Sequence, residues 1–339
     1  MKRLSASAFV SAVSAALAFA ALSPSLLAEP APGGRVPRVV GRPAASAAGQ
    51  TRSAQVIPSS VSQTGYSVQL NIATRIQGAA LYRTAVDITN NTTTDGVTAT
   101  FQYCYTLSGV YQGCTSAQSI LLHNFDNFHQ DDLIQYLGTI PGLLPASAVS
   151  QSFGTFIVTF DGLPSNNGWE GTVTGRIYNA LDEADPLGGV VAIAFQGSLF
   201  FESAEGSLVT IARDTTPNPT TAGSLRTNLG VTNTALNNAT DSVDFQISFY
   251  DPATGSLVGD ALIPPHVLAP GEVFQFNDIF NLAHIPSDVE SLIVFVDVTS
   301  TQGANPLTIE GYVDILDAGT NDGAYFEMKC AAGCPSGAF

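Results

Sequence analysis

Lysine is nearly missing from this chain, and basic charge of any kind is scarce. The 339 residues hold 12 Lys and Arg against 28 Asp and Glu, a formal net charge of −16. Lys2 and Lys329 are the only lysines. From Tyr66 onward the bases are Arg75, Arg83, Arg176, Arg213, Arg226 and Lys329, whereas every acid except Glu29 lies in that part. So acidic a surface repels nucleic acid and anionic membranes, and no nucleic-acid partner is expected. It could draw cations, but solubility outside a cell is the plainer reading.

Enzyme signatures are missing too. There is no Gly-x-Ser-x-Gly elbow, His-Glu-x-x-His helix, phosphate loop or dinucleotide fingerprint. A non-enzyme without a cofactor is the expectation. The remote alternative is a secreted hydrolase built around residues 123–132, because a β fold can gather a Ser-His-Asp set with no trace in the sequence. Long apolar runs are also lacking. Phe9 to Leu22 is the longest such stretch, too short and too rich in Ala and Ser to span a membrane.

That stretch reads instead as the centre of a signal peptide, residues 1–28. Lys2 and Arg3 precede it and small residues close it, with cleavage after Ala28, or alternatively Ala20. An exported protein is expected, extracellular or at the cell surface, with the periplasm as the other compartment. Residues 29–65 are rich in Pro, Ala, Gly, Ser and Arg and lack periodicity, which suits a flexible tether. Arg35, Arg38, Arg42 and Arg52 could grip an anionic envelope polymer, although a plain spacer explains them as well.

The four cysteines agree with export. Cys104 and Cys114 flank the Ser108-Gly109 turn and could bridge a hairpin, and Cys330 and Cys334 could close a small loop. A zinc site made of all four is the rival, but the spacing lacks paired C-x₂-C motifs.

What the chain does have is internal repetition. Leu81 to Asn90 returns as Ser224 to Asn233. Phe101-Gln102-Tyr103 returns as Phe245-Gln246-Ile247, and Asp131-Asp132-Leu133 as Asn277-Asp278-Ile279. Phe156-Ile157-Val158 matches Leu292-Ile293-Val294, and Gly175-Arg176-Ile177 matches Gly311-Tyr312-Val313. Near the start of each unit, Leu70 to Arg75 is echoed by Leu208 to Arg213. Echoes in fixed order at nearly fixed spacing imply a duplicated unit, here long enough to be a domain. Val243 to Phe249 alternates apolar with polar, the period of a half-buried strand, and Ala99 to Tyr105 does the same. In that alternation Cys104 takes the polar phase, which places its bridge on an outer face. Frequent turn signals complete the picture of an all-β protein, two tandem and internally duplicated β-sandwich domains. The domains are residues 66–205 and 206–330, followed by a tail at 331–339. Short helices are expected only near Asp131–Tyr136 and Asp278–Leu282.

The segments 225–233, Asn277-Asp278-Ile279-Phe280 and Gly175-Arg176-Ile177-Tyr178-Asn179 resemble tandem immunoglobulin-like β-sandwich modules of secreted bacterial surface proteins. The resemblance implies a sandwich fold and a surface setting. It implies no catalytic residues, and this chain has no enzyme domain beside the modules.

Few side chains stand out as sites. Arg83 and Arg226 hold equivalent places in the repeat, as do Asp132 and Asp278, so each Arg is expected to pair with an acidic or carbonyl partner in its own domain. A binding role for both is the alternative. His123 to Asp132 is rich in His and Asp but satisfies no metal spacing, and a solvated loop is expected there. Asp182, Glu183 and Asp185 lie in a loop whose counterpart runs from Asp317 to Asp322, and calcium is the cation such carboxylates suit. Neither loop fits the helix–loop–helix template, so solvated turns are the competing reading. Trp169, the only tryptophan, sits in a turn-rich segment and could offer a flat face to a sugar or partner, or fold back on the sandwich edge. The function expected is a structural or adhesive protein whose partner is a surface polymer, another protein or its own copies. The alternative is a carbohydrate- or ligand-binding module.

Overall fold

The alternating segments fold as antiparallel strands. The structure, a computed structural model, describes residues 66–77, 81–163, 170–180, 190–199, 206–212, 225–234, 241–302, 309–317 and 323–332. The signal peptide and tether, Trp169, Asp182, Glu183, Asp185, Asp322 and Cys334 lie outside the described residues. All the elements below belong to the unit Arg52–Phe339.

The first half runs β1 (Tyr66–Gln77), β2 (Leu81–Asn90), β3 (Val97–Leu107), β4 (Val110–Cys114), β5 (Gln118–Leu122), β6 (Asn127–Gln130), α1 (Leu133–Thr139), α2 (Ala146–Ser150), β7 (Ser152–Asp161), β8 (Gly171–Ala180), β9 (Val190–Gln196) and β10 (Ser198–Leu199). The second runs β11 (Gly206–Ala212), β12 (Leu225–Asn233), β13 (Ser242–Tyr250), β14 (Val273–Phe276), α3 (Ile279–Leu282), β15 (Ser291–Gln302), β16 (Ile309–Asp317), β17 (Gly323–Glu327) and β18 (Lys329–Ala332).

Strand order is the same in the two halves. In the second, one sheet is β13-β15-β11-β18 and the other β14-β12-β16-β17. In the first, β3-β7-β1 with β10 forms one layer and β6-β2-β8-β9 the other. The last residues of β1 also pair with β2, joining the two layers into one ten-stranded sheet. Each pair of layers encloses a core of alternate residues. Val243, Phe245, Ile247 and Phe249 of β13 are buried and meet Leu229 and Val231 of β12 and Val313 of β16. The free side of β3 is covered by β4 and β5, and that of β13 by an irregular segment bridging at Leu257, Leu262 and Leu268. Both devices shield a long strand from edge-to-edge pairing.

The sequence echoes find the right strands but not always the right register. Phe101 pairs with Val158, whereas its counterpart Phe245 pairs with Val298, not with Val294 as the echo implies. Val86 pairs with Gly175, whereas its counterpart Leu229 pairs with Val313 and not Gly311. Both slips are by an even number of residues, which leaves the same side chains facing the core.

Three local expectations need correction. Asn127–Gln130 is not loop but strand β6, with Ile88 opposite Phe128 and Val86 opposite Gln130. Asp317, expected in a loop, is the last residue of β16, opposite Leu225, and the loop that follows it lies outside the described residues. Besides the two anticipated helices there is α2, which follows Pro145 and whose first turn is closed by Ala148 and Val149 N–H groups donating to the Pro145 carbonyl.

The two halves meet along a buried seam. Asn71 Nδ2 donates to Glu310 Oε1 at 2.8 Å and to the Tyr325 hydroxyl at 3.0 Å, and Gln69 Nε2 to Glu310 Oε2 at 3.3 Å. Tyr325 stacks between Phe195 and Tyr312, with centroids 4.9 and 5.5 Å away. Tyr312 is fully buried and packs into the first half's core. A methyl on Gly230 would overlap the Tyr312 ring, so a bare backbone is what lets that ring lie flat on β12. Cys104 and Cys114 are bridged and directly opposite each other, as the hairpin reading expected. The bridge lies on the outward phase, yet Cys104 is only 1% exposed because the second half covers that face. Cys330 lies in β18, opposite Ser207.

Candidate functional site

A dense polar assembly is centred on Asp132, where β1, β2, β8 and both first-half helices converge. Asp132 is the N-cap of α1, and its Oδ1 accepts from the Gln135 amide at 3.0 Å. Its Oδ2 receives Arg75 Nε at 2.9 Å and lies 4.0 Å from Arg83 Nη1. Arg75 Nη1 also donates to the Val149 carbonyl of α2 at 3.1 Å. The guanidinium of Arg83 stands 6.0 Å from the Tyr178 ring centroid, the outer limit of a cation–π contact, and the Tyr178 hydroxyl donates to the Asp131 carbonyl. Arg75 and Arg83 are both buried. One carboxylate thus holds two buried cations and caps α1, while Arg75 ties α2 to the sheet.

The network continues outward through Asp131. His129 lies between two carboxylates, with Nδ1 2.8 Å from Asp87 and Nε2 2.9 Å from Asp131. Asn127 donates to the same Asp87 at 3.0 Å, and Arg176 approaches its other oxygen at 3.6 Å. Burial works against charge on His129, but the bonds to Asp131 and Asp87 outweigh it and raise its pKa. His123, the other histidine of the segment, pairs with Asp95 at 2.6 Å.

Sequence reasoning anticipated the Arg83–Asp132 partnership but missed Arg75. A signal existed, since Arg75 closes the Leu70–Arg75 echo opposite Arg213. The second half does not repeat the arrangement. Arg226 is exposed on β12, and its charge acts on Asp314 and on Tyr82 of the first half. Asp278 is left-handed at φ 55°, its carboxylate accepts from Asn281, and its amide donates to Asn228 Oδ1 at 3.1 Å. The echo therefore marks equivalent backbone positions whose side chains have taken different partners.

Asp314 is the unusual acid of the second half. It is 3% exposed, and burial pushes its pKa up to about 6, against the opposing effects of the Asn228 amide 3.3 Å away and the Arg226 charge. A carboxyl raised in the folded state contributes stability that is complete below its ordinary value, 3.8, and lost as pH rises through about 6. Replacing Asp314 by Asn is expected to flatten the stability profile across that window and to stabilise the protein at pH 8 by about 1–3 kcal/mol. Urea titrations of both proteins at pH 4, 6 and 8 measure this, and parallel profiles would remove Asp314 as the cause.

An open pocket of about 410 Å³ lies over Arg75, between α1 and α2. Leu144, Ala146 and Val149 give it an apolar wall, and Gln135 and Ser150 add polar atoms. The Ser150 hydroxyl is turned back onto the Ala146 and Ser147 carbonyls. Among the described residues no group of three or more His, Cys, Asp or Glu side chains is placed to hold a metal ion. The calcium expectation rested chiefly on Asp182, Glu183, Asp185 and Asp322, outside them. No helix among the described residues is long and apolar enough to cross a membrane.

No protein-family model matches the chain, and no curated protein does. Two solved structures with distant likeness are a lectin from Pleurotus ostreatus in complex with GalNAc and the apo form of Pleurotus ostreatus lectin. The first is 9% identical at a TM-score of 0.12, covering 79% of this chain and 86% of that one. The second is 9% identical at a TM-score of 0.12, covering 81% and 82%. At such scores neither likeness bears on fold or function.

Proposed function

We propose that this is an exported, non-catalytic structural or adhesive protein of the bacterial cell surface or extracellular space. In this reading it consists of two duplicated immunoglobulin-like sandwich domains, 66–205 and 206–330, behind a signal peptide and tether. The observation that carries it is the seam. Glu310, Tyr312 and Tyr325 of the second half are engaged by Gln69, Asn71 and Phe195 of the first, in a mixed polar and aromatic contact that couples the halves. Coupling of two sandwiches suits a component that bears or transmits load. The buried charges fit the same role, since Asp132 spends its bonds on Arg75, Arg83 and a helix N-terminus. Matching strand orders in the halves support the duplication.

The test is the native size of the mature chain, residues 29–339, in surface and culture fractions of its host. A large cell-bound assembly is expected. A free monomer in the medium would overturn the structural reading and turn attention to glycan binding through Trp169.

A further inference from the structure

Besides stapling a hairpin, the Cys104–Cys114 bridge forms the floor on which the second half's 269–272 turn rests. The turn sits at Ala269-Pro270-Gly271, with Gly271 at φ +76° and its amide donating to the Asn233 carbonyl at 2.8 Å. A Cβ on Gly271 would stand 2.7 Å from Cys104 Sγ and 3.1 Å from Cys114 Sγ, so the backbone lies directly on both sulfurs. Two hydrogen bonds tie the turn to the first half. Thr155 Oγ1 of β7 donates to the Gly271 carbonyl at 2.8 Å, and the Tyr111 hydroxyl of β4 donates to the Pro270 carbonyl at 2.6 Å. β4 is a five-residue edge strand whose ladder to β3 is irregular between Cys104 and Thr106. Of its own side chains none is buried. Tyr111 is held under Pro270 by its pairing with Thr106, by Thr115 bonded to Tyr103 just beyond the strand, and by the covalent link to Cys104.

The two cysteines differ in exposure. Cys104 is buried beneath Gly271, whereas Cys114, on the edge strand, is an exposed residue whose sulfur also lies against Gly271. Thiolate attack on a disulfide goes to the sulfur that can be reached.

We propose that Cys104–Cys114 is a thiol–disulfide exchange site, attacked at Cys114 by a dithiol reductant, and that its redox state sets whether the second half's 269–272 turn stays seated on the first half. A thiolate of the dithiol bonds to Cys114 Sγ, the S–S bond breaks, and Cys104 leaves as a thiolate that takes up a proton. The reductant's second thiol then displaces Cys114 as a free thiol, and the dithiol ends as a disulfide. Two electrons and two protons pass to the protein. With the staple open, β4 loses its covalent anchor, Tyr111 leaves Pro270, and the turn lifts.

Amide exchange of the full mature chain, with and without dithiothreitol, tests this by mass spectrometry. Reduction is expected to speed exchange at Leu268, Gly271 and Glu272 by about tenfold or more, while Phe245 and Val294 in the second core stay protected. A Cys104→Ser, Cys114→Ser double variant should show the fast pattern without reductant and no further response to it, which separates this bridge from any formed by Cys330 and Cys334. Unchanged protection in fully reduced wild type would overturn the proposal, as would an equal response to reductant in the double variant. Partial reaction with glutathione followed by alkylation reads the point of attack. Glutathione on Cys114 and the alkyl group on Cys104 are expected, and the reverse assignment would refute attack at Cys114.

Discussion

Replacing Asp132 by Ala is expected to lower the stability of the folded unit by about 3–5 kcal/mol, the usual effect of stripping the counter-charge from buried cations. The variant leaves Arg75 and Arg83 facing each other in the interior and removes the N-cap of α1. Asp132→Asn separates the two causes. Asn keeps an acceptor for the Gln135 amide, worth about 1 kcal/mol, but cannot balance the guanidinium charges. If charge dominates, the Asn variant loses nearly as much as the Ala variant in urea titrations. A loss below about 1 kcal/mol for both would show that the hub is dispensable. The equivalent change in the second half, Asp278→Ala, is expected to cost less, about 1–2 kcal/mol, because Asp278 makes no side-chain cap bond and the cost comes from placing Ala in its left-handed conformation.

The second large effect is expected at the seam. Tyr312→Ala removes a fully buried ring that stacks on Tyr325 and donates to Gln275 Oε1 at 2.8 Å. The expected loss is about 3–5 kcal/mol, and its form matters more than its size. With the seam hollowed, calorimetry should resolve two unfolding transitions where one is expected for the native protein, since each half keeps its own core. Tyr312→Phe loses only the hydroxyl bond, about 1 kcal/mol. Gly230→Ala forces the Tyr312 ring off β12 and should reproduce part of the Ala effect, about 1–3 kcal/mol. A single unsplit transition in Tyr312→Ala would mean that the halves are coupled elsewhere.

Much of this was legible in the sequence for a simple reason. Alternation of apolar and polar residues is a local property, so β13, whose odd-numbered residues from Val243 to Phe249 are all buried, could be read directly. The short helix near Asp131–Tyr136 was legible too, although its cap at Asp132 emerged only in the structure. Register was not, because apolar strands resemble themselves when shifted by two or four residues, as Gly175 and Val158 show. Nor was β6, whose His and Asn residues lie on an outward face that carries no apolar signal.

The sequence by itself determined that this chain is made of β-strands in echoed segments, that Cys104 and Cys114 stand where a hairpin bridge could form, and that Asp132 is a candidate partner for Arg83. All of these follow from short-range pattern or from the pairing rules of a few scarce side chains. Only the tertiary structure decided that the outward faces of β1, β3 and β7 would not meet solvent. A residue on the polar phase of a strand has the same local signature whether water or another domain lies beyond it. Cys104 read as outward-facing, yet it is buried, as are Gln69, Asn71 and Thr155, which contact residues of the second half.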